Sequence, residues 1–136
     1  MRIFFGIEAQ ISTYSINNSR KRIEELLGDI EVSDYTQNLD TIGIIINCFD
    51  KEWCAKGYGK TRKYISYIKR NADIRINIPA EEFLVASEKE RDIMVLNNII
   101  ESIAVINERL NKKNGCSFDG EKLIDYIKEK TIVLTK

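Results

Sequence analysis

Eleven residues near the middle of the chain, "DTIGIIINCFD" at 40–50, constrain its fold more than any other stretch. A nearly unbroken apolar run of this length, β-branched and without helical spacing, has the character of a central strand buried on both faces. Such a strand needs a neighbour along each edge and a layer to cover it, so the rest of the chain is expected to supply both. At 136 residues it has the length for one domain with a single core.

The candidates fall on either side. "RIFFGIEA" (2–9) is short and β-prone, and reads as a first strand. A helix over about 15–28 follows, with Ser12, Thr13 and Ser15 as candidate N-caps, Ile16, Ile23, Leu26, Leu27 and Ile30 at helical spacing, and Gly28 at its end. "EVSDYT" (31–36) offers a shorter strand. "RKYISYIK" (62–69) and "DIRINI" (73–78) flank "RNA" (70–72) as a hairpin, and the alternation of Ile74, Ile76 and Ile78 with Arg75 and Asn77 gives the second arm one dry and one wet face. After Pro79 the period changes to that of a helix. "AEEFLVAS" predicts a short helical turn, and 88–113 a long helix begun by Ser87, with Ile93, Leu96, Ile100, Ile103 and Leu110 facing inward and "NG" (114–115) ending it. A last helix is expected over 118–130, and "TIVLT" as a returning edge strand. The fold class this predicts is α+β, with a mainly antiparallel sheet of about four to five strands packed against an N-terminal helix, a long helix and a C-terminal helix, in a single domain spanning 1–136.

What chemistry the chain carries is bounded mostly by what it lacks. It has no histidine, which removes Ser-His and Cys-His nucleophile pairs, and its three cysteines, Cys48, Cys54 and Cys116, have no metal-type spacing. Reduced thiols, partly buried, account for them, and no metal or cofactor is expected. Paired carboxylates such as Glu24-Glu25 and Glu81-Glu82 read as solvated helix faces, so no catalytic residue is assigned and the chain is not expected to be an enzyme. "GYGKTRKY" (57–64) ends like a phosphate-binding loop, but the first glycine of that motif falls on Cys54 and a strand-like segment follows where a helix is required. No stretch has signal-peptide or membrane-span character, so a cytoplasmic location and no membrane partner are expected.

Charge sums to zero but is segregated. Residues 1–50 carry four basic and eight acidic groups, whereas 51–75 carry eight and two. Within this basic segment Lys51, Lys56, Lys60, Arg62, Lys63, Lys69 and Arg70 interleave with Trp53, Tyr58, Tyr64 and Tyr67. One reading is nucleic-acid contact, with the rings stacking on bases. Against it, a balanced charge and a pI near 6.4 lack the broad positive field of such proteins, so no nucleic-acid partner is expected. The other reading is a protein interface, because Trp, Tyr and Arg combine large area with a polar handle.

The order of pieces resembles a known family. The strand "FFGIEA", the helix "SRKRIEELL", the strand "IGIIINCF", the stretch "RKYISYIKRNADIRINIPAEEFLVAS" and the long helix "LNNIIESIAVINERL" are together similar to small cytoplasmic immunity proteins of bacterial polymorphic-toxin and contact-dependent growth inhibition systems. The resemblance implies a non-catalytic α+β protein whose partner is a cognate toxin domain, often a nuclease. Its candidate toxin-binding residues are Asp50, Glu52, Trp53, Tyr58, Arg62 and Tyr64, two carboxylates and a large anchor within four positions followed by more of the aromatic group. A small nucleic-acid-binding regulator using the basic aromatic hairpin 51–75 is the alternative, and an unrecognised enzyme the third reading.

Overall fold

A computed structural model of the chain describes residues 3–9 and 13–135, with side chains from Ile16 to Thr135. The apolar run forms β2 (Thr41–Cys48), and it has two neighbours, β1 (Ile3–Ala9) on one edge and β4 (Asn71–Asn77) on the other. Both pairings are parallel, Ile3 lying beside Ile42 and Ile42 beside Ala72. The hairpin arm β3 (Arg62–Ser66) lies outside β4 and antiparallel to it, which gives the sheet order β1-β2-β4-β3. The sheet is therefore mixed, and the expectation of a mainly antiparallel sheet is overturned. The reason lies in the connections: α1 (Thr13–Leu27) carries the chain from the end of β1 back to the start of β2, and β3 does the same between β2 and β4.

Two segments read as strands are single helical turns of the 3-10 type. Val32–Asp34 replaces the strand at 31–36, with Val32 fully buried, and Ile132–Leu134 replaces the edge strand at 131–135. The helices are closer to expectation. Gly28, at φ +66°, donates to the Glu24 carbonyl and ends α1. Among its candidate caps, Ser12 lies outside the described residues. The short turn after Pro79 is α3 (Ala80–Val85), and the long helix α4 (Glu88–Asn111) starts at a capping box in which the Ser87 hydroxyl accepts from the Glu90 N–H and the Glu90 carboxylate accepts from the Ser87 N–H. The last helix, α5 (Gly120–Lys130), is capped by Asp119.

The core forms where the sheet face that carries the even-numbered residues of β2 and β4 meets the helices. Ile42, Ile44, Ile46, Ala72 and Ile74 are all at most 1 % exposed, as are Ile16, Ile23 and Leu27 of α1, Ile99, Ile103, Ile106 and Leu110 of α4, and Leu123 and Ile127 of α5. Each of the isoleucine and leucine side chains contributes on the order of 1.5–3 kcal/mol by leaving water. A bidentate ion pair ties α1 to α4: the Arg22 guanidinium donates to both Asp92 oxygens, at 2.8 and 2.7 Å. The Tyr126 hydroxyl of α5 donates to the Leu27 carbonyl at the end of α1. The opposite face, where Arg62 and Tyr64 of β3 stand beside Arg75 and Asp73 of β4, is different. Tyr64 is 57 % exposed, Arg62 is exposed, and Ile45, Asp73 and Arg75 are half-buried, whereas Gly43 and Asn47 are buried, so the double-sided burial expected of β2 is complete on the helix side and partial on this one.

Parallel pairing brings the carboxyl ends of β1, β2 and β4 to one edge of the sheet. The segment 49–61, which leaves β2 and enters β3, lies at that edge, beside the 78–86 segment that leaves β4. The 67–70 turn of the hairpin lies at the opposite edge. There Arg70 adopts φ +54°, unusual for a residue with a side chain, and is held by donating to the Asp40 carboxylate and the Gln37 carbonyl.

Candidate interaction site

The residues singled out in the sequence begin with Asp50, and its first task is structural. Its carboxylate accepts the Trp53 N–H at 2.8 Å and so caps a short helix, α2 (Lys51–Ala55), in a segment read as a loop. Glu52 stands exposed on that helix and pairs with Lys56 at 3.6 Å, and the Lys56 ammonium lies 5.7 Å from the centre of the Trp53 ring. Trp53 does not stand alone. Its ring stacks on Phe49 at 6.2 Å and meets Tyr58 at 4.8 Å, and Tyr58 also meets Phe49 at 5.6 Å. Phe49 is buried, Trp53 half-buried and Tyr58 48 % exposed, so the three rings form a graded wedge from core to surface.

The wedge is held from below by a residue that sequence reading passed over. Asn77, the last residue of β4, accepts the Phe49 N–H at 2.9 Å and donates to the Phe49 carbonyl at 3.4 Å and to the Cys54 sulfur at 3.7 Å. Its side-chain amide thus closes the turn that a backbone partner would otherwise have to close. Gly59 packs directly on this clamp. A Cβ there would stand 2.9 Å from Asn77 Oδ1 and 3.0 Å from the Phe49 ring, and the residue sits at φ +66°. The glycine of the Gly-Lys-Thr triplet is therefore required for closure of this loop, not for wrapping a phosphate.

Two clefts flank the wedge, and they carry opposite charge. One, of about 330 Å³, is lined by Phe49, Asp50, Lys51, Cys54, Asn77, Pro79, Glu81 and Glu82. Glu81 accepts the Lys51 N–H at 2.8 Å. The other, of about 230 Å³, is lined by Asn47, Gly57, Tyr58, Gly59, Lys60, Arg62 and Arg75. Tyr64 continues the basic side along the open sheet face, two residues beyond Arg62.

Asp50, Glu52, Trp53, Tyr58, Arg62 and Tyr64 are thus gathered around one end of the sheet, whereas the basic aromatic segment taken as a unit is not. Tyr67 lies at the other end with the Lys113 ammonium 3.7 Å above its ring, Arg70 is committed to Asp40 and Gln37, and the Lys63 carbonyl accepts from Arg109 of α4. A periodic stripe of stacking rings for single-stranded nucleic acid is absent from this segment. The missed residue, Asn77, had one signal: an asparagine closing an alternating strand just before Pro79, where an amide can satisfy turn groups.

The thiol of Cys48 is pushed up to about 11, first by burial and then by the Glu81 charge, so it stays protonated beneath the acidic cleft. Among the described residues no helix is long and apolar enough to cross a membrane. A family model described as "Imm44: Immunity protein 44" matches residues 1–130. No curated protein and no solved structure matches the chain.

Proposed function

We propose that this chain, which belongs to the immunity protein 44 family, neutralises a nuclease toxin domain by docking it on the wedge of Trp53 and Tyr58 and the acidic cleft beside it. The family match over residues 1–130 carries the first half of this reading, because an immunity protein has a toxin as its partner. The second half rests on charge and shape. A nuclease active site is positive because it holds phosphates, and an inhibitor gains encounter rate and selectivity by presenting carboxylates to it. Glu52, Glu81 and Glu82 supply them, and the half-buried indole of Trp53 supplies an anchor of the type that dominates protein interfaces. Asp50 contributes through the helix it caps.

The test is binding to the toxin domain encoded beside this chain. Trp53→Ala lowers affinity by at least about 2 kcal/mol, roughly thirtyfold, while the triple change of Glu52, Glu81 and Glu82 to Gln mainly slows association and flattens its salt dependence. A folded Trp53→Ala variant that binds and protects as well as the parent chain defeats the docking reading. A neighbouring toxin without nuclease activity defeats the choice of toxin.

A further inference from the structure

The acidic cleft lies between α2, which carries Trp53, and the start of α3, and the two faces of that second helix are set by spacing. Ala80 and Phe83 are buried in the core, so Glu81, Glu82 and Val85 share the opposite side and Leu84 stands at its margin. Val85 is 87 % exposed and Leu84 40 %. Single apolar side chains in water are ordinary, but an adjacent pair bordered by the carboxylates one turn back has the make-up of an interface, an apolar centre with a charged rim. The pair is also held in place. The Arg91 guanidinium donates to the Phe83 and Leu84 carbonyls, both at 2.8 Å, and lies 5.1 Å from the centre of the Phe83 ring. The turn that presents Leu84 and Val85 is thus fixed before any partner arrives, which lowers the cost of ordering it on binding.

Charge decides what covers the pair. Across 80–92 the chain carries five acidic groups and two basic ones, and the Arg22 that meets Asp92 and Glu88 from α1 leaves the surplus negative. A second copy seated on the same patch brings carboxylates against carboxylates, whereas a cationic partner gains from them.

We infer that Leu84 and Val85 form a second anchor of the toxin interface, entering an apolar hollow rimmed by lysine or arginine on the toxin, with the acidic cleft between this anchor and Trp53. The inference rests on the toxin-docking reading and extends its footprint across α3.

The test is binding of the toxin domain encoded beside this chain to Val85→Ser, Leu84→Ala and Val85→Lys, with Trp53→Ala measured alongside and thermal unfolding showing each variant folded. Val85→Ser and Leu84→Ala each weaken binding about fivefold, mainly through faster dissociation. Val85→Lys, which sets a cation against the cationic rim, weakens it at least about thirtyfold. Near-parent affinity of Val85→Lys beside a weakened Trp53→Ala overturns the inference and leaves the docking reading standing. Parent-like binding by Trp53→Ala with weakened Val85 variants does the reverse: the α3 anchor holds and Trp53 loses its role. Sedimentation of the chain alone covers the rival occupant. A monomer is expected, and a dimer that Val85→Lys dissociates overturns the inference.

Discussion

Replacing Asn77 by Ala removes the clamp under the aromatic wedge, and the cost can be worked from its contacts. The bond that matters most is the one from the Phe49 N–H, at 2.9 Å, since Phe49 is only 5 % exposed and its N–H has no substitute in water. Leaving a buried donor unpaired costs about 1–3 kcal/mol, whereas the longer contacts at 3.4 and 3.7 Å add little. A loss of about 2 kcal/mol lowers Tm by roughly 6–10 °C in a chain of this size. Gly59→Ala attacks the same contact from above: its Cβ meets Asn77 Oδ1 at 2.9 Å, and the left-handed backbone adds about 1–2 kcal/mol. Part of that penalty vanishes once the Asn77 side chain is gone, so the double variant costs less than the two single ones together. Urea and thermal unfolding followed by far-UV circular dichroism give the three values. Fluorescence of Trp53, the single tryptophan of the chain, reports separately whether the wedge loosens before the core. A Tm change under about 2 °C for Asn77→Ala, or strict additivity in the double variant, refutes the clamp.

Three further outcomes follow from the helices and the thiols. Arg22→Ala leaves the Asp92 carboxylate, 5 % exposed, without its bidentate partner; the expected loss is about 2–3 kcal/mol by urea unfolding, below the range for fully buried pairs because Arg22 is itself 36 % exposed. Cys48, with its acidity weakened to about 11, reacts with iodoacetamide at pH 8 far more slowly than Cys54 and Cys116, and mass spectrometry of the labelled peptides reads the order. The Glu90 carboxyl is held below its usual range by the Ser87 hydrogen bonds, so the capping box contributes above the unfolded value near 4.5 and is lost as pH falls through the folded one. Glu90→Gln should therefore flatten the acid limb of the stability curve below about pH 4.5, and an unchanged acid limb counts against it.

The helices were legible because their signals are local. Ser87 with the acidic residues after it, and Gly28, each set a boundary within one turn, whereas the Asp119 cap that starts α5 emerged only from the structure. The direction of the strands was harder to read. An unbroken run such as Ile42 to Ile46 is characteristic of parallel neighbours, yet nothing in "RIFFGIEA" or "DIRINI" states which way each runs beside it; that is fixed by α1 and β3 returning the chain to the same edge. The segments 31–36 and 131–135 carry β-prone residues, and short tertiary contacts such as the burial of Val32 prevail over so weak a preference. At the candidate site the residue types were visible but their grouping was not. Trp53 and Tyr58 meet each other and both pack on Phe49, which in the sequence reads only as part of a strand, and Asp50 works as a cap, a role that needs the unanticipated α2.

The position of β2 also sets a timetable for folding. Its partners lie 39 residues before it and 30 after it along the chain, as the pairs Ile3 with Ile42 and Ile42 with Ala72 show. During synthesis β1 and α1 can close on β2 as soon as it emerges, but its second edge stays unpaired until the β3–β4 hairpin is complete. Closing either gap carries the loop entropy of a non-local contact, and until the hairpin docks the isoleucine strand keeps one edge open to pairing with another chain. The ring wedge is thus complete only when Asn77, at the end of β4, reaches Phe49.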